Sequence, residues 1–375
     1  MKAAVVTDFG KPPTYGDFRE PVASEGETIV RVHVAPLSPI VKALASGRHY
    51  TSGAQAGFVP GVDGVGTDPE GRRVYFLFPR GPFGSMGELA LVSNEMIVPI
   101  PDDISDVRAA AVATGGLASW VALTRRAPIQ PGSTVLVNGA TGAAGGMAVQ
   151  VARHFGAGRI IAVGRSRERL DRLEVEARIA LDDVADEALR AEFDRGVDVV
   201  LDFIWGEPAS RVIAAATKNR GSRLGEPRVR YVQLGTVAGD EISLRGDAFR
   251  GSGLELMGSG IGSVAIRELS AGARELLTEM NKAGFDAPVT TLPLTAVADA
   301  WAGPSDVRYI LSPGKPHTLT RKGNVRLRLL KRRGSALHRA PAVLRTSVLT
   351  KVLGEHVASA RLLPRPCIYA PRDRR

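Results

Sequence analysis

The run from Thr134 to Gly146, TVLVNGATGAAGG, admits few folds. Thr134 to Asn138 is a short apolar stretch of the kind that forms a buried strand. Gly139, Gly142 and Gly145 follow at intervals of three, and Ala144, Met147, Ala148, Val151, Ala152 and Phe155 then recur at helical spacing. Strand, glycine turn and helix in that order predict a phosphate-binding opening. Small residues let the backbone approach a diphosphate, and the helix N-terminus presents unpaired N–H groups and a partial positive charge. On this reading Thr141, Gly142, Ala143, Ala144 and Gly145 cradle the diphosphate of a dinucleotide. The spacing is GxxGxxG rather than the stricter GxGxxG, and such a turn also serves packing alone, so the residues that follow carry the decision.

A second strand, Ile160 to Gly164, comes next. A ribose with a free 2′-hydroxyl calls for Asp or Glu just after this strand. Here the place reads Gly164-Arg165-Ser166-Arg167, with Arg169 one turn on. A carboxylate would repel a 2′-phosphate, whereas guanidinium groups and a hydroxyl bind one. Gly164, Arg165, Ser166 and Arg169 are therefore expected at the adenosine end of NADP(H); the rival reading is that the arginines only solvate a helix start. Three further strand-like runs follow, Arg178–Asp182, Val197–Ile204 and Val229–Gly235, and a last one at Leu254–Gly258. Helical patterns separate most of them, which argues for a doubly wound parallel sheet. Ligands of such sheets lie beyond the carboxyl ends of the strands, which places Phe203, Ile204, Gly235, Thr236, Ser259 and Gly260 beside the nucleotide.

The N-terminal part has another character. Lys2–Thr7, Thr28–Val34, Arg73–Phe78, Leu89–Val92 and Met96–Ile100 are short strand-like runs parted by Gly- and Pro-rich turns, and Ser105–Arg125 reads as a helix.

Residues 1 to about 313 resemble the medium-chain dehydrogenase/reductase superfamily in its zinc-independent quinone oxidoreductase branch. The branch's AAxGGVGxxxxQ motif is met by Gly139 to Gly145 and, five residues on, Gln150. Gly26-Glu27, Arg31-Val32, Ser38-Pro39, Ser46 to Tyr50, Pro60 to Gly66, Arg73-Val74, Val197 to Asp202, Leu292 to Leu294 and Ala300-Trp301 fall in the expected order. The resemblance implies an α/β chain with a GroES-like β-rich catalytic domain (residues 1–120, completed by 261–313) and a Rossmann NADP-binding domain (121–260), followed by a basic tail (314–375) that matches nothing in the family and is read as disordered. It also implies a homodimer.

Departures from the family bear on chemistry. Zinc-dependent relatives take a Cys and the His of a Gly-His-Glu segment as ligands; here these places read Leu37-Ser38-Pro39 and Gly61-Val62-Asp63, and the one cysteine is Cys367. The expectation is no metal. The implied reaction is hydride transfer from NADPH to a quinone or an α,β-unsaturated carbonyl, substrates that are electrophilic on their own, with the protein supplying orientation and field. By the same resemblance Tyr50, Lys42 and Ser38 are candidate catalytic donors, although Tyr50 reads equally as a ring wedged between domains and Lys42 as a surface lysine. Relatives carry a Thr near the nicotinamide in a Leu-Thr-Ala segment; here it reads Leu117-Ala118-Ser119, which leaves Thr114 or Ser119 to substitute. Alternatives are an enoyl-thioester reductase, or a nucleotide-sensing, RNA-binding protein with little catalysis.

Charge divides the chain unevenly. Residues 314–375 hold 16 of the 49 Lys and Arg but only 2 of the 39 Asp and Glu, so the net +10 belongs to the tail and the remainder is mildly acidic. The tail reads as a basic extension for nucleic acid or anionic lipid, as a membrane-surface helix through Val348, Leu349, Val352, Leu353 and Val357, or as the product of a shifted frame. No stretch of about 18 apolar residues is found, so no transmembrane helix is expected. The start lacks a basic-then-apolar leader, and one cysteine suits a reducing cytoplasm.

Overall fold

The computed structural model describes residues 1–53, 55–304 and 307–314. The tail beyond Gly314, with each of its three readings, lies outside the described residues.

Six parallel strands form one sheet. Their spatial order is Ala177–Ala180, Arg159–Gly164, Thr134–Asn138, Val199–Asp202, Arg228–Gln233 and Gly253–Gly258, that is third, second, first, fourth, fifth, sixth. Helices Ala143–His154, Arg167–Asp171, Ala185–Arg195 and Gly206–Thr217 make the crossovers. Alternate residues of the central strands feed two different cores. Val135, Val137, Ile160 and Ala162 pack on one face, and Leu136, Ile161, Val163 and Val200 on the other. Burial on both faces is why these strands read as unbroken apolar runs. The chain reverses direction across the sheet between Thr134–Asn138 and Val199–Asp202, so the crevice for a ligand opens past Asn138 and Asp202.

The second sheet has seven strands. Its centre is the long strand Glu27–Leu37, paired with Asp63–Thr67, Leu89–Ser93 and Tyr309–Ser312; Arg73–Leu77, Ile97–Pro99 and Thr290–Pro293 complete it. The strands Thr290–Pro293 and Tyr309–Ser312 come after the nucleotide-type sheet in sequence, so the chain returns to close its first lobe. A separate hairpin joins Lys2–Val5 to Thr14–Asp17. The chain is thus α/β, a β-rich GroES-like lobe joined to a Rossmann sheet.

Helix Asp106–Val121, capped by the Ser105 hydroxyl accepting from the Arg108 N–H, packs against both lobes and against helix Ile266–Glu279. Asp106–Arg126 is long and apolar enough to cross a membrane by length and composition, but 67% of its most apolar window is buried inside the protein, as a core helix is. Gln150, a motif position, donates to the Asp286 carbonyl (2.8 Å) and accepts from its N–H (3.1 Å), tying the phosphate-turn helix to the returning chain.

Candidate active site

The turn after Asn138 is built by backbone proximity. Gly139 and Ala140 both donate N–H groups to the Val163 carbonyl, at 2.9 and 3.0 Å, folding the turn over the neighbouring strand. Gly139 has φ +91°, in the left-handed region, and a Cβ there would lie 3.0 Å from Ile204. A Cβ at Gly145 would overlap the Gly139 carbonyl and sit 2.8 Å from the Ala140 Cα. Gly142 is the N-cap of helix Ala143–His154 and provides no capping side chain, so the first N–H groups of the helix are left for a ligand. These features fit a diphosphate.

At the end of the next strand Gly164 lies against Thr141, and Arg169 donates to the Thr141 carbonyl at 2.7 Å. The Ser166 hydroxyl accepts from the Arg169 N–H and so caps the short helix Arg167–Asp171. Arg167 pairs with Asp182 at 3.3 Å. Arg165 is exposed and has no hydrogen bond or ion pair among the described residues. Of the two arginines expected at a 2′-phosphate, Arg165 and Arg169, Arg165 is the one whose guanidinium makes no hydrogen bond or ion pair among the described residues.

Across the switch point sits Asp202, fully buried. One carboxylate oxygen accepts from the Asn138 amide (2.9 Å) and from the Ile204 and Trp205 N–H groups (3.1 and 3.2 Å); the other accepts from the Tyr231 hydroxyl (2.9 Å). Burial raises its pKa, and the hydrogen bonds oppose the rise. This clamp shapes the loop Phe203–Gly206, in which Trp205 holds φ +53°, a strained value for a large side chain. Gly235 packs against the Phe203 carbonyl, and the Ser259 N–H bonds Gln233, which brings Phe203, Gly235 and Ser259 to one end of the sheet. Asp202 had counted in the sequence only as part of a strand; its place at the carboxyl end of an apolar run was the available signal.

The side chains of the three N-terminal donor candidates are not joined to one another by any hydrogen bond among the described residues, although the Lys42 N–H donates to the Ser38 carbonyl at 3.2 Å. Tyr50, 73% exposed, donates its hydroxyl to the Ile261 carbonyl at 2.7 Å, lies near Gly260, and is covered by the His49 ring at 4.2 Å. Its hydroxyl donor is taken by that carbonyl, while the ring itself stays largely exposed. Lys42 donates to the Trp301 carbonyl at 2.8 Å, and burial lowers its pKa. Ser38 is buried, and its hydroxyl finds no partner among the described residues.

A different polar cluster lies beneath the lobe junction. Asp63 is 2% exposed. One of its carboxylate oxygens accepts from the Tyr75 hydroxyl at 2.7 Å and from the Thr114 hydroxyl; the other has no partner among the described residues. The buried Arg308 guanidinium, bound to the Ala111 carbonyl at 2.6 Å, lies near enough to act through charge. Burial pushes the Asp63 pKa up to about 6. A folded pKa above the unfolded value means that the native state binds the extra proton, so stability declines as pH rises from about 4 through about 6. Asp63→Asn is expected to abolish that decline, which amounts to about 3 kcal/mol. Urea unfolding of both proteins at acid and neutral pH measures it; parallel pH dependences would contradict it.

A parallel sheet with a phosphate turn at its switch point, joined to a β-rich lobe, defines a dinucleotide-binding protein of the two-lobed dehydrogenase type. The zinc-binding dehydrogenase family model matches residues 143–279. The chain is 27% identical over 347 residues to a probable NADPH-dependent quinone reductase of Emericella nidulans, covering 80% of this chain and 96% of that one. It is 32% identical over 221 residues to a phenolphthiocerol/phthiocerol polyketide synthase of Mycobacterium tuberculosis, covering 52% of this chain and 9% of that one. Among solved structures, the quinone oxidoreductase of Thermus thermophilus, also crystallised with NADPH, superposes with a TM-score of 0.68 at 27% identity, over 84% of this chain and all of that one. The chain belongs to the medium-chain dehydrogenase/reductase superfamily, in its quinone oxidoreductase-like branch.

Proposed function

We propose that this chain is an NADPH-dependent oxidoreductase that reduces a quinone or an α,β-unsaturated carbonyl without zinc. The observation that carries the reading is the uncapped helix N-terminus at Gly142 behind a turn that only glycine can complete, with the unspent Arg165 beside it. The first N–H groups of that helix would hold the diphosphate, Arg165 the 2′-phosphate, and Phe203, Ile204, Gly235 and Ser259 the crevice wall. When bound, the reduced cofactor supplies a hydride. The protein supplies a dry, fixed surrounding for a substrate that is already electrophilic. The extended similarity to a named NADPH-dependent quinone reductase supports this choice. The side chains at the family's metal place, Ser38 and Val62 in place of thiolate and imidazole, support a reaction without zinc.

A second reading has its own support. The 32% identity to a segment of a polyketide synthase favours an enone carried as an acyl thioester. The edge of strand Gly253–Gly258, unpaired among the described residues, would suit association of two copies into a homodimer. The single cysteine suits the cytoplasm.

Oxidation of NADPH and NADH by the full chain, with panels of quinones, enones and enoyl thioesters, tests the reading. The expected result is turnover with NADPH preferred and EDTA without effect. Activity lost to EDTA and restored by zinc would overturn the zinc-free assignment, and no turnover on any panel would overturn the oxidoreductase assignment.

A further inference from the structure

We propose that Thr114 delivers a proton to the substrate oxygen, and that Asp63 acts through Thr114 as the positioning acid that restores that proton. The inference rests on the reductase reading above and names the residues that complete its reaction.

The geometry begins with helix Asp106–Val121. From Ala109 to Val121 every residue is buried except Thr114 and Ala118, four apart and therefore on one face. That face is the open side of an otherwise enclosed helix. Gly115, next to Thr114, abuts Met147, which lies about one turn into the helix that begins at the phosphate turn. Thr114 thus stands at the lobe junction, close to the phosphate turn. Among the described residues its hydroxyl donates to Asp63 and neighbours the Tyr75 hydroxyl, which donates to the same carboxylate oxygen.

Asp63 has the properties of a proton store. It lies under Thr114, with one oxygen shared between Thr114 and Tyr75 and the other unpartnered among the described residues. The groups facing it are few: the titratable Tyr75 from strand Arg73–Leu77, the charged Arg308 just before strand Tyr309–Ser312, and the neutral Thr114 from the helix. Arg308 makes no ion pair with it among the described residues, so the carboxyl is not locked in the ionised form, and its pKa of about 6 leaves both forms populated near neutrality.

The proton balance is simple. Once the substrate has accepted a hydride, its carbonyl oxygen carries an extra electron pair. The Thr114 O–H bond breaks as an O–H bond forms on that oxygen, and the Asp63 proton moves to the Thr114 oxygen. Asp63 is left as a carboxylate and takes a proton from solvent, through Thr114, after product departs.

Two measurements on the full chain test this. Infrared titration of the protein without nucleotide should show a buried carboxylic-acid band that disappears as pH rises through about 6 and is missing from Asp63→Asn. The wild-type kcat should fall through the same range and be slowed in heavy water. Thr114→Val should lower kcat about 100-fold, flatten that pH limb and leave the Kd for NADPH unchanged. Thr114→Ser should restore both rate and limb, which a packing role for the methyl group would not explain. A Thr114→Val protein with wild-type kcat and pH profile would overturn the relay while leaving the reductase reading intact, and so would an absent infrared band. A wild-type protein that oxidises NADPH with no quinone or enone would sink the reductase reading, and the relay with it.

Discussion

Gly145→Val is expected to abolish measurable binding of either pyridine nucleotide, raising Kd at least about 100-fold, or roughly 3 kcal/mol. The reason is geometric. The new Cβ would overlap the Gly139 carbonyl and crowd the Ala140 Cα, both of them backbone. That backbone cannot retreat, because the Gly139 and Ala140 N–H groups are both bonded to the Val163 carbonyl. The turn must open or the helix must slide, and either shift moves the first helical N–H groups away from the position that a diphosphate requires. Forcing methyl groups into a closed space also costs stability, typically about 1–3 kcal/mol, so Tm falls too. Gly146→Ala is the control. The nearest atom to its added methyl is the Ala140 carbonyl at 3.9 Å. Exchanging a helical glycine for alanine there is expected to stabilise the chain by about 0.5–1 kcal/mol and leave nucleotide binding unchanged. Calorimetric titration and thermal melts of the two variants separate a specific effect at position 145 from general damage to a glycine-rich segment.

Arg165→Glu is the second large effect. Arg167 is paired with Asp182 and Arg169 is bonded to Thr141, so neither has the freedom of Arg165 to take up a phosphate. Losing a charge-assisted hydrogen bond costs about 1.5–3 kcal/mol, and a carboxylate in its place adds repulsion. The KM for NADPH should rise about 100-fold while that for NADH, which has no 2′-phosphate, changes by no more than about threefold. An unchanged ratio of the two would show that the 2′-phosphate lies elsewhere.

Much of the nucleotide side was legible because its signals are local. The strand Thr134–Asn138 has the ends that the apolar run indicates, and the helix behind it begins at Ala143, directly after Gly142. The β-rich lobe was harder to read. Strand Asp63–Thr67 escaped notice because Gly64 and Gly66 weaken its pattern. The structure needs them small, since a Cβ at Gly64 would strike Phe76 and one at Gly66 would strike the Arg31 carbonyl and Val30. The short strand Thr14–Asp17 carries a glycine as well and is mostly exposed, so it had no alternation to detect. The cluster around Asp63 is assembled from a strand, a second strand, a helix and the returning chain near Arg308, which spreads its members from residue 63 to residue 308. Tyr50, Lys42 and Ser38, by contrast, are close in sequence, and their side chains find separate surroundings.

At the root of all this lies a physical claim about where the diphosphate and the 2′-phosphate of NADPH rest. A crystal structure of the full chain grown with NADPH would test it most directly. The diphosphate should rest on the N–H groups of residues 143–145, with the 2′-phosphate at Arg165 and the nicotinamide turned toward the junction where Thr114 lies. A diphosphate bound anywhere else, or crystals that take up no nucleotide at saturating concentration, would contradict the account.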